Sequence, residues 1–218
     1  HNTVQNLVDI QNKIHSHLDE HKIDKVPKII AVSKTFKIEK ILPLIDYGHK
    51  DFGENKVQEA VDKWTEVKLS NPNIQLHLIG KLQTNKVKYA VKIFDYIHSV
   101  DSEKLAKKIS DEEIKINKKI KIFIQVNIGQ EDQKSGINLS ELSSLISYCS
   151  KINLDVVGLM CIPPMNEDSV SYFQKMKKLN EENNFHELSM GMSSDYLKAI
   201  INNASYLRIG SSIFGQRY

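Results

Sequence analysis

A chain of 218 residues with 30 basic and 27 acidic residues, net charge +3, is long enough to bury the core of one barrel or of two small domains. Hydrophobic content of 40% and charged content of 26% are ordinary for a globular protein, and the interspersed charge lacks the basic stripe of a nucleic-acid binder. No segment reaches membrane-spanning length and the polar, amphipathic N-terminus is not a secretory signal, so a cytoplasmic protein without nucleic-acid or membrane partners is expected.

Smaller features agree. Lys118-Lys119 and Lys177-Lys178 sit among polar residues and read as solvated helix faces. Cys149 and Cys161 lack metal-ligand spacing, lie in apolar segments, and read as small core residues in a reducing compartment. The chain begins at His1 rather than Met, so its first residues are read as trimmed or vector-derived.

Val4, Leu7, Val8, Ile14 and Leu18 recur at helical spacing and predict an opening helix. After Pro27, Lys28–Lys34 holds four consecutive apolar residues, the pattern of a strand buried on both faces. A helix over 38–47, ended by Gly48, leads to a strand at 51–54. A helix follows, with Val57, Ala60, Val61, Trp64 and Val67 on one face. Strands at 75–80, 96–100, 120–128 and 155–162 alternate with helices at 85–94, 102–117, 139–151 and 168–183. A strand at 187–191, a helix at 195–203 and a strand at 206–209 complete the pattern. Eight strands in unbroken alternation with helices predict a parallel (β/α)8 TIM barrel with an extra N-terminal helix. A doubly wound open sheet is the alternative. With no linker or shift in composition, one domain over 1–218 is expected.

In such a barrel, chemistry gathers just after the strands. Lys34 closes the first strand, where desolvation would lower its pKa and prepare it as a Schiff-base nucleophile. Taken alone, it is better explained as a lysine stem reaching solvent from a strand end. After the seventh strand come Ser193 and Ser194, read as opening a helix. After the eighth come Gly210 and Ser211. Each segment by itself is equally a plain helix cap or tight turn; together, after adjacent strands, they favour a phosphate cradle. Only Arg208 and Arg217 among the 30 basic residues are arginines, so Arg208 at a strand end points to a need for a planar, always-charged fork. Arg217 reads instead as a tail residue in a salt bridge.

Six segments then carry a resemblance: Ala31–Lys34, Phe52–Glu59, Ile79–Gln83, Gly158–Pro164, Leu188–Asp195 and Arg208–Gly215. Together they resemble the pyridoxal phosphate homeostasis protein family, itself similar to the N-terminal barrel of bacterial alanine racemases. The resemblance implies pyridoxal 5′-phosphate held as an aldimine on Lys34. By position it places Asn55 at the cofactor ring side and Arg208 at the pyridine nitrogen. Met192 and Ser193 fall at the phosphate, with Gly210 and Ser211 completing the cradle. Leu76 and Lys56 depart from the pattern, standing where aromatic residues are common. His77 reads as a buried strand histidine rather than a cofactor contact.

An arginine at the pyridine nitrogen does not readily give up a proton, which leaves the ring a poor electron sink and argues against a transaminase or decarboxylase. Racemisation needs a second base, which the resemblance assigns to a tyrosine of an additional domain in alanine racemases. This sequence ends at Tyr218, soon after the eighth strand. The expectation is a monomeric carrier of the cofactor that supplies apo-enzymes and buffers vitamin B6. An amino-acid racemase with another second base is the alternative, and a barrel binding a phosphate metabolite without covalent attachment is a third reading.

Overall fold

The computed structural model describes residues 2–132 and 134–217; His1 and Tyr218, on which the expectations about the chain's ends fall, lie outside them. Helix α1 (Thr3–His21) precedes β1 (Lys28–Val32), α2 (Ile38–Tyr47), β2 (Asp51–Glu54), α3 (Val57–Ser70) and β3 (Gln75–Leu78). Then come α4 (Val87–Ile93), β4 (Tyr96–Val100), α5 (Glu103–Ile116) and β5 (Lys121–Gln125). The second half adds α6 (Leu142–Lys151), β6 (Asp155–Met160), α7 (Val170–Glu182), β7 (Glu187–Ser189), α8 (Tyr196–Ile201), β8 (Tyr206–Ile209) and α9 (Ser211–Phe214). All strand pairs are parallel, and β8 pairs with β1 to close the barrel in the order β1 to β8. The open-sheet alternative is excluded.

Two apolar layers hold it. Outward-facing residues such as Ile29, Ala31, Phe52 and Leu76 pack against the apolar faces of the helices, with Trp64, Phe94 and Phe173 fully buried. Inside the barrel, Ile30, Tyr96, Phe123, Met160 and Tyr206 fill the lower interior. Cys149 and Cys161 are free and buried, and burial pushes their thiols up to about 11 and about 12, so both act as inert core residues.

The last helix, α9, is four residues long and was absent from the sequence pattern. A helix that short cannot cover the wall beside β8 and β1. The outer α1 packs there instead, with Asn6 Nδ2 donating to the Ile213 carbonyl at 2.9 Å. Five expected strands are shorter than their apolar runs. The first ends at Val32 rather than Lys34, the third at Leu78 rather than Gly80, the fifth at Gln125 rather than Ile128, the sixth at Met160 and the seventh at Ser189. Backbone bonds to the neighbouring strands run slightly further, from Val126 N–H to the Met160 carbonyl at 2.8 Å, from Cys161 N–H to the Ser189 carbonyl at 3.1 Å and from Met190 N–H to the Tyr206 carbonyl at 3.2 Å, and Val126 also bridges Ile137. The expected helix at 85–94 is a 3₁₀ turn, Thr84–Lys86, running into α4.

Candidate functional site

Strand periodicity decides what reaches the mouth, because alternate residues share a face. On β1, Ile30 faces the interior, so Val32 and Lys34 follow on the same side. On β8 the same alternation carries Tyr206, Arg208 and Gly210, and on β2 it carries Asp51, Gly53 and Asn55. These side chains converge on a cavity of about 500 Å³. All seven residues expected at the site line it: Lys34, Asn55, Met192, Ser193, Arg208, Gly210 and Ser211. A void of this size lies within the range of small-molecule sites.

Lys34 is half-buried two residues beyond β1. Its pKa is lowered, first by burial and then by the positive charge of Arg217, with Glu59 opposing. The loop carrying it is fixed from behind. Thr35 adopts φ +69°, a left-handed conformation costly for a β-branched residue, and its N–H donates to the Glu59 carboxylate at 2.6 Å. Lys63 ties the same carboxylate to the Ser33 carbonyl and to Glu54. Glu54 is fully buried and also accepts from the Ser33 hydroxyl and from Trp64 Nε1. Burial pushes the Glu54 carboxyl up, against the pull of Ser33, Lys63 and Trp64.

Asn55 owes its place to Gly80. A Cβ at Gly80 would stand 2.5 Å from the Asn55 carbonyl oxygen and 2.9 Å from its Cα, so only glycine lets the two strand ends touch. At Gly210 a Cβ would come within 2.9 Å of Arg217 Nη2, which keeps that part of the cavity wall open.

Arg208 is buried, donating from Nη1 to Ser189 Oγ at 2.6 Å and from Nη2 to the Cys161 carbonyl at 2.8 Å. Burial lowers its pKa to about 10, which still leaves it charged at neutral pH.

Two expectations need correction. Ser193 and Ser194 do not open a helix; they lie in a turn, and α8 starts at Tyr196. The turn is closed by the Asp195 carboxylate, which takes the Met192 N–H at 2.8 Å. Among the described residues, the backbone N–H groups of Ser193, Ser194 and Ser211 have no partner, and Ser193 Oγ accepts from Ser212 N–H at 3.3 Å. Arg217 makes no ion pair among the described residues, contrary to the tail salt bridge expected for it. The chain folds back after α9, so that Arg217 lines the cavity over Phe36, 5.6 Å from the ring centroid.

Sequence reasoning missed Lys81, Lys134 and Arg217 as lining residues. With Arg208 they give the cavity four cations besides the Lys34 amine, against the carboxylate of Glu131, a field suited to an anionic ligand. His77 is fully buried and lies off the cavity, as expected. Leu76 is buried in the outer core and Lys56 is exposed; neither lines the cavity.

A half-buried, less basic lysine at the end of β1, facing serine-bearing loops after β7 and β8, defines the class of alanine racemase-like barrels. The family model for the alanine racemase N-terminal domain matches residues 9–218. A pyridoxal phosphate homeostasis protein of Pasteurella multocida is 34% identical, covering 98% of this chain and 97% of that protein. One of Aquifex aeolicus is 38% identical over 87% of each. The chain therefore belongs to the pyridoxal phosphate homeostasis protein family. Among solved structures, PipY of Synechococcus elongatus with PLP bound matches with TM-score 0.85 and 30% identity, covering 98% of this chain and all of that one. An alanine racemase of Clostridium difficile shares the fold with TM-score 0.75 at 16% identity, and this chain spans 57% of its length. Among the described residues, no helix is long and apolar enough to cross a membrane.

Proposed function

We propose that this protein binds pyridoxal 5′-phosphate at the barrel mouth and acts in its homeostasis, holding the cofactor reversibly through the Lys34 amine. The observation that carries the reading is the Lys34 amine itself, made less basic by burial and set on the wall of a cationic cavity. Relatives across nearly the full length bear the name pyridoxal phosphate homeostasis protein, and PipY is described with PLP bound.

The residues fit the group. When bound, the cofactor supplies an aldehyde, with which an uncharged primary amine condenses reversibly. Lys34 is the amine for that task. The hydroxyls of Ser193 and Ser211, with the free N–H groups beside them, receive the phosphate. Gly210 leaves room for it, and Asn55 and Arg208 border the ring, with Met192 at the outer wall. Arg208 stays ionised and offers donors only, so it returns no proton to the pyridine nitrogen.

The role that follows is a carrier or buffer, limiting free aldehyde and supplying apo-enzymes, in the cytoplasm and as a monomer of one barrel domain. Racemisation is the competing reading and needs an acid–base group on each face of a substrate carbon. Among the described residues no tyrosine, histidine or cysteine lines the cavity, so a second acid–base group would have to come from Glu131, Lys81 or Lys134. Incubating the cofactor-loaded protein with amino acids in deuterated water tests the choice. A carrier leaves the α-proton in place, whereas protein-dependent exchange overturns the reading.

A further inference from the structure

Beneath the cavity floor, a line of polar side chains crosses the barrel interior from β8 to β2. Arg208 Nη1 lies 2.6 Å from Ser189 Oγ, and Ser189 Oγ lies 2.8 Å from His98 Nδ1. His98 Nε2 lies 2.9 Å from His77 Nδ1, and His77 Nε2 lies 2.8 Å from Asp51 Oδ1. Ser189, His77 and His98 are fully buried. The rings are clamped flat, His77 stacked on Tyr96 at 4.2 Å and His98 on Phe123 at 4.4 Å.

Elementary donor counting gives this line one direction. A carboxylate only accepts and a guanidinium only donates, so with both rings neutral the Asp51 end fixes the direction, and Ser189 Oγ accepts from Arg208 and gives its own hydrogen to His98 Nδ1. His98 then carries its proton on Nε2 and donates to His77 Nδ1. His77 in turn carries its proton on Nε2 and donates to the Asp51 carboxylate. Every bond is satisfied with both imidazoles neutral. The charged and titratable groups facing the pair are Asp51, Asp95, Lys28, Arg208, His49 and the phenols of Tyr96 and Tyr206. At His77 burial outweighs the two carboxylates, at His98 burial, His77 and Arg208 all act downward, and both pKa values lie below the ordinary imidazole value.

Arg208 itself has no carboxylate partner among the described residues, although an unpaired buried charge is costly. The line of hydrogen bonds ends on one. We propose that Asp51, His77, His98 and Ser189 are positioning residues for Arg208: a one-way buried relay that aims its guanidinium at the cofactor ring and polarises it toward the Asp51 carboxylate. Because Arg208 does not release a proton, the relay holds orientation and charge and does not conduct protons. The part concerning the ring rests on the cofactor reading above; the proton arrangement does not.

Two measurements separate them. Long-range ¹H–¹⁵N NMR on ligand-free protein reads the imidazole tautomers. At pH 7 the relay requires His77 and His98 both neutral with the proton on Nε2. An Nδ1–H tautomer or an imidazolium at either overturns it, whatever the cofactor does. In protein loaded with pyridoxal phosphate, Ser189→Ala removes the link. The bound cofactor's visible band then shifts and retention weakens roughly tenfold, while Ser189→Thr, which keeps the hydroxyl, restores both. An unchanged band in a folded Ser189→Ala protein overturns the positioning role. Should that variant not fold, Asp51→Asn at the barrel rim takes its place. It removes the terminal charge, and the same band shift is expected or the role fails. Wild-type protein that takes up no cofactor defeats the function reading and the ring-positioning role, and leaves the tautomer result standing by itself.

Discussion

Arg217 lies across the loop that bears Lys34, its Nε donating to the Lys34 carbonyl at 3.4 Å and its Nη2 to the Val32 carbonyl at 3.5 Å. The contact does two things: it holds the returning chain against the cavity, and it sets a positive charge beside the amine.

That charge is the second cause, after burial, of the lowered Lys34 pKa. An amine must shed its proton before it attacks an aldehyde, so a lower pKa moves attachment to lower pH. Arg217→Gln removes one of the two lowering causes and leaves burial in place. The Lys34 pKa rises, and the pH at which the visible band of bound cofactor develops moves upward. A spectrophotometric pH titration of both proteins measures the shift.

Gly80 and Gly210 make a contrasting pair. In Gly80→Ala the new Cβ meets backbone atoms of Asn55, which cannot move without displacing the end of β2. Overpacking of this kind costs about 1–3 kcal/mol, and cofactor retention should fall with stability. In Gly210→Ala the nearest atom is the end of the flexible Arg217 side chain. Stability should stay close to wild type while retention falls. Urea unfolding and equilibrium dialysis on both variants check the pair.

Behind Lys34, Glu54 gathers Ser33, Lys63 and Trp64. Glu54→Ala leaves the Trp64 indole N–H and the Ser33 hydroxyl without their acceptor, while Lys63 keeps Glu59 and the Ser33 carbonyl, so the expected loss of stability is about 1–3 kcal/mol per stranded donor. Trp64 is the sole tryptophan, so its fluorescence reports unfolding directly.

Stability should fall in mild acid. His49, His77 and His98 all have pKa values depressed from 6.5 by burial. Below about pH 6.5 the unfolded chain takes up protons that the folded protein refuses, so the slope of stability with pH is positive. Each histidine contributes up to about 1.4 kcal/mol per pH unit until its folded pKa is reached. Glu54 and Glu113, pushed up by burial, act in the opposite sense, since acid relieves the cost of ionising them. Urea unfolding between pH 7 and 5.5, compared with His49→Gln, isolates one histidine's share as a shallower slope in the variant.

Strand periodicity and chain order put Lys34, Arg208 and the loops after β7 and β8 at the strand ends, but pattern alone reads Lys34 as a stem reaching solvent, and only the family resemblance gives it a role in the site. Sequence pattern could not show the Asp51–His77–His98–Ser189 line, whose members come from four strands and meet only through barrel closure. The Gly80–Asn55 contact depends likewise on the register of β2 against β3. Arg217 was misread because local composition near the chain end carries no sign that the backbone reverses over the mouth. The four-residue α9 is too short for helical periodicity to register.

Whether the Lys34 amine carries the cofactor is tested by borohydride reduction of protein loaded with pyridoxal phosphate. The visible band should be lost and the reduced label should appear by peptide mass spectrometry on Lys34, with Lys34→Ala unlabelled. Label on Lys81 or Lys134 instead, or cofactor retained by the wild-type protein with no label anywhere, would contradict attachment at Lys34.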